Sequence, residues 1–296
     1  MEIVRVNGRN ISKFVKYCKE NRDSLDDTFL IDEELDKLML DSDDPSFMAI
    51  DAGRTIGAVS LKMDAYLLRG KRARFRIFHS NSGSTEVYRR LFSAIKPEME
   101  RVEKVFIFVP EKGADLRSQL VELGFTLERY AYLLIRKAQM TPKVALPVGY
   151  SLTEFVPGTD EKAYCQIRNA AFSALAGSET PLTIEEVKKI YARPDYLPGG
   201  ILFLYHAGSP VGIVRVAREY YNGNHYALIG PIALLPEYQK KGLGRQLLRA
   251  GLAAGRTFGL DEAILSVNAE NEQAVRLYVS EGFETDECFV SYIYFI

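Results

Sequence analysis

Cysteine, charge of one sign and long apolar runs are all scarce in this 296-residue chain. The three cysteines (Cys18, Cys165 and Cys288) are odd in number, far apart and without metal-ligand spacing. That excludes a disulfide scaffold, gives no metal centre, and points to a reduced, cytoplasmic setting. Thirty-eight basic against thirty-nine acidic residues leave a formal charge of −1. No global basic field is available to hold a nucleic-acid backbone. The longest apolar candidate, Ala227 to Leu235, is nine residues long and is interrupted by Gly-Pro. A helix needs ~20 apolar residues to span a bilayer, so no membrane segment is expected. The opening residues, MEIVRVNGRN, show neither a secretory apolar core nor a lipidation signal. What is present is an ordinary globular mixture, 47% hydrophobic and 26% charged. Such a chain buries enough apolar surface to offset its conformational entropy, which excludes disorder. At roughly 150 residues per domain the length suggests two domains.

Internal similarity supports two copies of one fold. Asp51-Ala-Gly-Arg-Thr-Ile-Gly-Ala-Val59 is similar to His206-Ala-Gly-Ser-Pro-Val-Gly-Ile-Val214, an offset of 155 (206 minus 51). Val121-Glu-Leu-Gly-Phe125 is similar to Val279-Ser-Glu-Gly-Phe283, an offset of 158 (279 minus 121). Two matches in the same order at nearly one offset argue for duplication. The expected division is a first domain over 1–138, a linker over 139–147 containing Pro142 and Pro147, and a second domain over 148–296.

The second copy is the clearer. A short strand is expected over Tyr150 to Phe155, then a helix from Asp160 to about Leu175. Thr183-Ile-Glu-Glu186 is a capping box that opens a further helix to about Tyr191. Ile201 to Tyr205 and Val211 to Tyr220 read as strands. Asn222-Gly223 is a type I′ hairpin signal, so Tyr226 to Leu235 returns antiparallel. Leu243, Leu247, Ala250, Ala254 and Phe258 recur at helical spacing. Ala263 to Val267 is a buried strand, and Asn271 caps a helix that ends at Gly282. Cys288 to Phe295 is expected to close this domain as a strand. The strand–helix–strand unit over 226–267 implies a parallel pair with a right-handed crossover. The fold class is therefore α/β (mixed α+β), each domain a mixed central sheet with helices on both faces.

The chemistry is concentrated in Gln239-Lys-Lys-Gly-Leu-Gly-Arg245, the turn between a strand and its helix. Its glycines allow close backbone approach, and the helix start offers unpaired N–H groups to an anion such as a pyrophosphate. Lys240, Lys241 and Arg245 add positive charge. A dinucleotide fingerprint is excluded because Leu247 stands where a third small residue is needed, and a Walker A loop because no Gly-Lys-Ser/Thr follows. Gly230-Pro231, within the preceding strand, suggests a bulge or simple irregularity.

Gln239-x-x-Gly242-x-Gly244 after a strand, Asn271 and Tyr278 in Asn271-Glu-Gln-Ala-Val-Arg-Leu-Tyr278, and Gly282-Phe283 together resemble the GNAT superfamily of N-acetyltransferases, in a tandem-domain arrangement. The motifs cover roughly 148–296; the resemblance reaches 1–138 only by repeat and topology. It implies acetyl-CoA as co-substrate and no metal. It implies that the pyrophosphate sits on the backbone of Lys240, Lys241, Gly242, Leu243, Gly244 and Arg245, with Gln239 also a cofactor-binding residue. The pantetheine arm would pair with Ile232, Ala233 and Leu234, and Asn271 would touch the cofactor or simply cap its helix. Tyr278 is implied as the general acid for the departing thiolate, since a phenol is protonated at neutral pH. Many relatives carry a glutamate on the strand before the turn, but no carboxylate lies between Asn224 and Pro236 here. Glu219 is a weak substitute as base, and His225 or a water chain are alternatives. The acceptor pocket is implied to come from the two-helix region and the final strands.

The first copy lacks these pieces. Ser80-Asn-Ser-Gly83-Ser-Thr85 replaces the Gly turn, Gly113 aligns with Asn271, and Leu120 with Tyr278. Arg72, Arg74 and Arg76 share one strand face, together with Arg69 and Lys71 forming a basic run that reads as a solvated face or a surface for an acidic partner. The expected function is N-acetyl transfer from acetyl-CoA to a small-molecule amine by a cytoplasmic monomer or homodimer. A protein or peptide N-acetyltransferase and a non-catalytic acyl-CoA-binding regulator are the alternatives. No nucleic-acid or membrane partner is expected.

Overall fold

The computed structural model describes all residues except 37, 39–42, 141 and 142, and of residue 33 only the backbone. Part of the expected linker, residues 141 and 142, therefore lies outside the described residues. The elements of the first part of the chain are β1 (Glu2–Arg5), α1 (Ile11–Asn21), α2 (Asp32–Asp36), β2 (Ser46–Asp51), β3 (Arg54–Lys62), α3 (Ala65–Arg69), β4 (Arg72–Ser80), α4 (Thr85–Ile95), β5 (Lys104–Pro110), α5 (Ala114–Glu122) and β6 (Thr126–Arg136). There follow β7 (Tyr150–Glu154), α6 (Glu161–Phe172), α7 (Ile184–Ile190), β8 (Tyr196–His206), β9 (Ser209–Tyr221), β10 (Asn224–Leu234), α8 (Leu243–Thr257), β11 (Ala263–Asn268), α9 (Glu272–Ser280) and β12 (Glu284–Phe295).

The chain divides into two compact units. One is Met1–Tyr132 with Asn268–Glu270 and Glu287–Ile296; the other is Leu133–Val267 with Asn271–Asp286. The sequence reading assigned all of the last strand to the second domain. In the structure residues 289–295 of β12 instead pair antiparallel with β5 of the first unit, Phe108 opposite Ser291. A β-strand is saturated by whichever edge its register meets, and local sequence does not encode that choice.

In the first unit the strands run in the order β1-β2-β3-β4-β5-β12. The neighbours from β1 to β4 are antiparallel, whereas β4 and β5 are parallel. Met48 and Ala58 pack with Phe14 of α1, whereas Ala49 and Val59 pack with Val87 and Leu91 of α4. Successive strand residues point to opposite faces, so helices cover both. The parallel ladder joins Arg72–Arg74 to Lys104–Phe106. Beyond it Phe75, Phe78, Ile107, Phe108 and Leu116 help enclose a cavity of about 10 Å³, room for one water.

The basic run of β4 is not a solvated face. Arg72 and Arg76 are buried. Arg76 donates to Asp44 at 2.8 Å, and Arg74 is paired with Asp26. The guanidinium of Arg74 lies 4.9 Å from the Phe29 ring and 5.0 Å from Phe108, and that of Arg72 lies 5.7 Å from Phe106. Asp26, Asp44 and Phe29 from the stretch between β1 and β2, with Phe106 and Phe108 of β5, take the place of water around these arginines.

In the second unit the order is β6-β11-β10-β9-β8-β7. The expected Asn222-Gly223 turn is present, with φ of 47° and 82°, as is the Thr183–Glu186 capping box. Strand β8 begins at Tyr196, earlier than the Ile201 expected, because Pro198, Gly199 and Gly200 are absorbed in a register shift between Tyr196 and Ile201. Tyr164 and Ile167 of α6 pack on Ile213 and Ala233. A Cβ built on Gly251 of α8 would meet Val214 at 3.0 Å. Helices α6 and α8 therefore cover opposite faces of β9. The parallel ladder of β10 and β11 joins Ala227 to Ala263 and Leu228 to Ile264, while β10 continues to Leu234.

Candidate active site

The turn between β10 and α8 is shaped by two left-handed residues, Lys240 (φ 59°) and Gly242 (φ 77°). Glycine takes that conformation freely, whereas lysine does so at a cost, which marks a backbone conformation held by its surroundings. Gln239 Nε2 donates to the carbonyl of Leu234 at 3.0 Å, closing the turn against the end of β10. Gly242 is the N-cap of α8, and no side chain caps the helix. The first-turn N–H groups of this 15-residue helix thus have no side-chain acceptor and carry the positive end of its dipole. A Cβ on Gly242 would have nothing within 4 Å, and one on Gly244 would lie 3.8 Å from Leu277 and 3.9 Å from Leu234. Lys241 lies with its ammonium 5.2 Å from the Tyr238 ring.

The equivalent turn of the first unit differs in its hydrogen bonds. Ser82 N donates to Ser80 Oγ at 3.2 Å, and Ser84 N donates to Ser82 Oγ at 3.3 Å. Serine hydroxyls there take N–H groups that the second unit leaves open.

On β10 the pairing with β9 shifts register between Ile229 and Ile232, a bulge at Gly230-Pro231, whose peptide is cis. After it, Ile232, Ala233 and Leu234 pair with Val214, Ile213 and Gly212. On the β11 side the ladder ends at Leu228, so these three residues have no strand partner there among the described residues. The open segment of β10 leads directly into the turn.

Helix α9 carries the remaining motif residues. Asn271 Oδ1 accepts from Ala274 N at 3.2 Å, the capping role read from the sequence. Tyr278 packs its ring 5.9 Å from that of Phe283. Its phenol has no hydrogen-bond partner among the described residues, and burial pushes its pKa up to about 12.

Sequence reasoning missed Glu281, three residues after Tyr278. Its side chain is 2% exposed. It accepts from Arg245 Nη1 at 2.6 Å and from Arg249 Nε and Nη2 at 2.9 and 2.8 Å. Its own carbonyl accepts from Arg136 Nε at 2.8 Å. Arg245, expected to face an anion with its side chain, is therefore held by Glu281. Burial works against ionisation of Glu281, but the hydrogen bonds and charges of Arg249 and Arg245 outweigh it and hold its carboxyl below the usual range. The available signal was the four-residue spacing of Arg245 and Arg249, which places both on one helix face.

The structure thus brings Gln239, Leu234, Gly244 and Leu277 together at one end of β10. Glu219 and His225 lie elsewhere, beside the β9–β10 hairpin tip. Glu219 stands opposite Tyr226 and accepts from Tyr220 N at 3.2 Å, and the His225 ring lies 5.1 Å from that of Tyr220. Among the described residues no group of three or more His, Cys, Asp or Glu side chains is placed to hold a metal ion, and no helix is long and apolar enough to cross a membrane.

Residues 164–283 match the Acetyltransferase (GNAT) family, so the second unit carries a GNAT acetyltransferase domain. A mycothiol acetyltransferase of Thermobispora bispora is 35% identical over 170 residues, 54% of this chain and 56% of that protein. Another, from Pseudarthrobacter chlorophenolicus, is 34% identical over 176 residues, 55% and 54%. The chain spans about half the length of these curated relatives. A GCN5-related N-acetyltransferase structure from Sphaerobacter thermophilus is similar at a TM-score of 0.73 with 16% identity, over 99% of this chain and 95% of that one. A tandem GNAT protein from the clavulanic acid biosynthesis pathway gives 0.70 with 14% identity, over 99% and 98%. At these identities the likeness is one of fold, and it runs over both units.

Proposed function

We propose that the second unit transfers the acetyl group of acetyl-CoA to a primary amine of a small molecule by direct attack. The observation that carries this reading is the uncapped N-terminus of α8 at the end of an unpaired stretch of β10, within a GNAT domain. The pyrophosphate would rest on the backbone of residues 239–245, with Lys240 and Lys241 adding charge. The pantetheine arm would complete the ladder that Ile232, Ala233 and Leu234 leave open. Asn271 serves the site by capping α9 and so orienting the helix that carries Tyr278.

The amine nitrogen attacks the thioester carbonyl carbon, forming the C–N bond while the C–S bond breaks. Backbone donors at the β10 bulge would stabilise the oxyanion. Tyr278 gives its proton to the sulfur, and the proton lost by the amine passes through water to the solvent. In the apolar setting that raises the Tyr278 pKa a bare thiolate is disfavoured as well, so a nearby proton eases its departure. The first unit, in which serine hydroxyls accept from the turn N–H groups of Ser82 and Ser84, does no transfer in this reading. Relatives named for mycothiol support a small-molecule acceptor.

The test is a panel of amines and peptides scored by CoA release and product mass, with a thiol-reagent background control for the three cysteines. Acetylated small amines are expected. Products only from peptides would reassign the acceptor, and acetyl-CoA binding without any product would make the chain a binding protein.

A further inference from the structure

Arg215 is a charged residue placed inside the second unit that no step above uses. It lies on β9 between Val214 and Val216, which pair with Ile232 and Ile229. Arg215 therefore stands directly opposite the β10 bulge at Gly230-Pro231. It shares its strand face with Ile213, the face covered by α6 and α7, and not with Val214, which faces α8. The anion seat begins α8, so the α6 face is the side of the sheet left for an acceptor.

The side chain of Arg215 is 11% exposed. Its Nη2 donates to Asp195 Oδ2 at 2.7 Å. Its Nε is buried with no hydrogen-bond partner, and Nη1 has none among the described residues. Asp195 is already shared, because Arg193 Nε donates to its Oδ1 at 3.0 Å. One carboxylate thus serves two guanidiniums, and a rigid fork of donors is left incomplete beside the bulge. A buried donor without an acceptor is unfavourable unless something else supplies one. The planar guanidinium fork matches a carboxylate or a phosphate.

Resting on the acetyltransferase reading, we infer that the acceptor amine also bears an acidic group, and that Arg215, oriented by Asp195, binds it. Arg215 is then the specificity-determining residue for the acceptor, and Arg193, 61% exposed, contributes to the field at its edge.

Matched acceptors test this: an amino acid against its amide, and an amino-sugar phosphate against the free amino sugar. Wild-type kcat/KM is expected to favour the acidic member of each pair by at least about tenfold, the scale of one charge-assisted contact. Arg215→Gln should abolish most of that preference through acceptor KM, with KM for acetyl-CoA unchanged. Arg215→Lys, which keeps the charge and the packing stem, should retain part of it. Should Arg215→Gln fail to fold, the exposed Arg193→Gln must still lower the preference. Equal rates on acidic and neutral members, or a preference untouched in these variants, overturns the inference and leaves the acetyltransfer reading standing. No turnover on any amine overturns both.

Discussion

Tyr278 keeps its proton to high pH because its ring is packed on Phe283 and its hydroxyl has no protein partner that would stabilise a phenolate. An exposed tyrosine titrates near pH 10, whereas burial moves this one to about 12. If Tyr278 is the acid, kcat of the wild type should not fall through pH 10. Tyr278→Phe should lower kcat about 100-fold, within the usual range for a general acid, with little change in acetyl-CoA affinity. A phenylalanine variant with wild-type turnover would show the tyrosine to be packing alone. Tyr278 stood out in the sequence through the resemblance of Asn271, Tyr278 and Gly282-Phe283 to the GNAT pattern. Glu281 and Arg215 did not, because each matters through a partner distant in sequence: Arg245 and Arg249 for one, Asp195 and the bulge for the other.

Glu281, just after α9, ties the helix that carries Tyr278 to α8 through Arg245 and Arg249. Removing the charge leaves two guanidiniums without their buried partner, a loss of about 3 kcal/mol for a pair of this kind. Glu281→Gln should therefore lower Tm at pH 7. The folded-state pKa of Glu281 lies below its unfolded value, so the clamp contributes fully above the ordinary glutamate pKa of about 4.3 and is lost as pH falls through the folded value. The difference between wild-type and variant thermal melts should shrink as pH falls through that lowered folded-state value. A difference that persists unchanged in acid would mean that the glutamate acts through shape and not charge. Elements with a local signature, such as the Asn222-Gly223 hairpin, the Thr183 capping box and the amphipathic α8, were legible in the sequence. The length of β8 was obscured by Pro198-Gly199-Gly200, which usually signal a turn but here form a register shift. The pairing of β12 with β5 is a contact of high sequence separation, which no local pattern specifies.

Both units keep the fold while their turns differ, as expected where packing and chemistry use different residues. In the first unit Ser80 and Ser82 accept from the N–H groups of Ser82 and Ser84; in the second no side chain accepts from the turn that ends at Gly242. The duplication was legible because hairpin and helix-end residues repeat at nearly one offset. The fate of the β4 arginines was not, because the groups that cover them come from a different stretch of chain. The proposed function requires one acetyl-CoA site per chain, at the Gly turn of the second unit. Calorimetric titration of acetyl-CoA into folded wild type and Gly242→Glu tests this most directly, since a carboxylate would enter the anion seat and strain a left-handed position. One site per chain in the wild type and none in the variant is the result predicted. Unchanged affinity in Gly242→Glu, or a second site of similar affinity that survives it, would contradict the account.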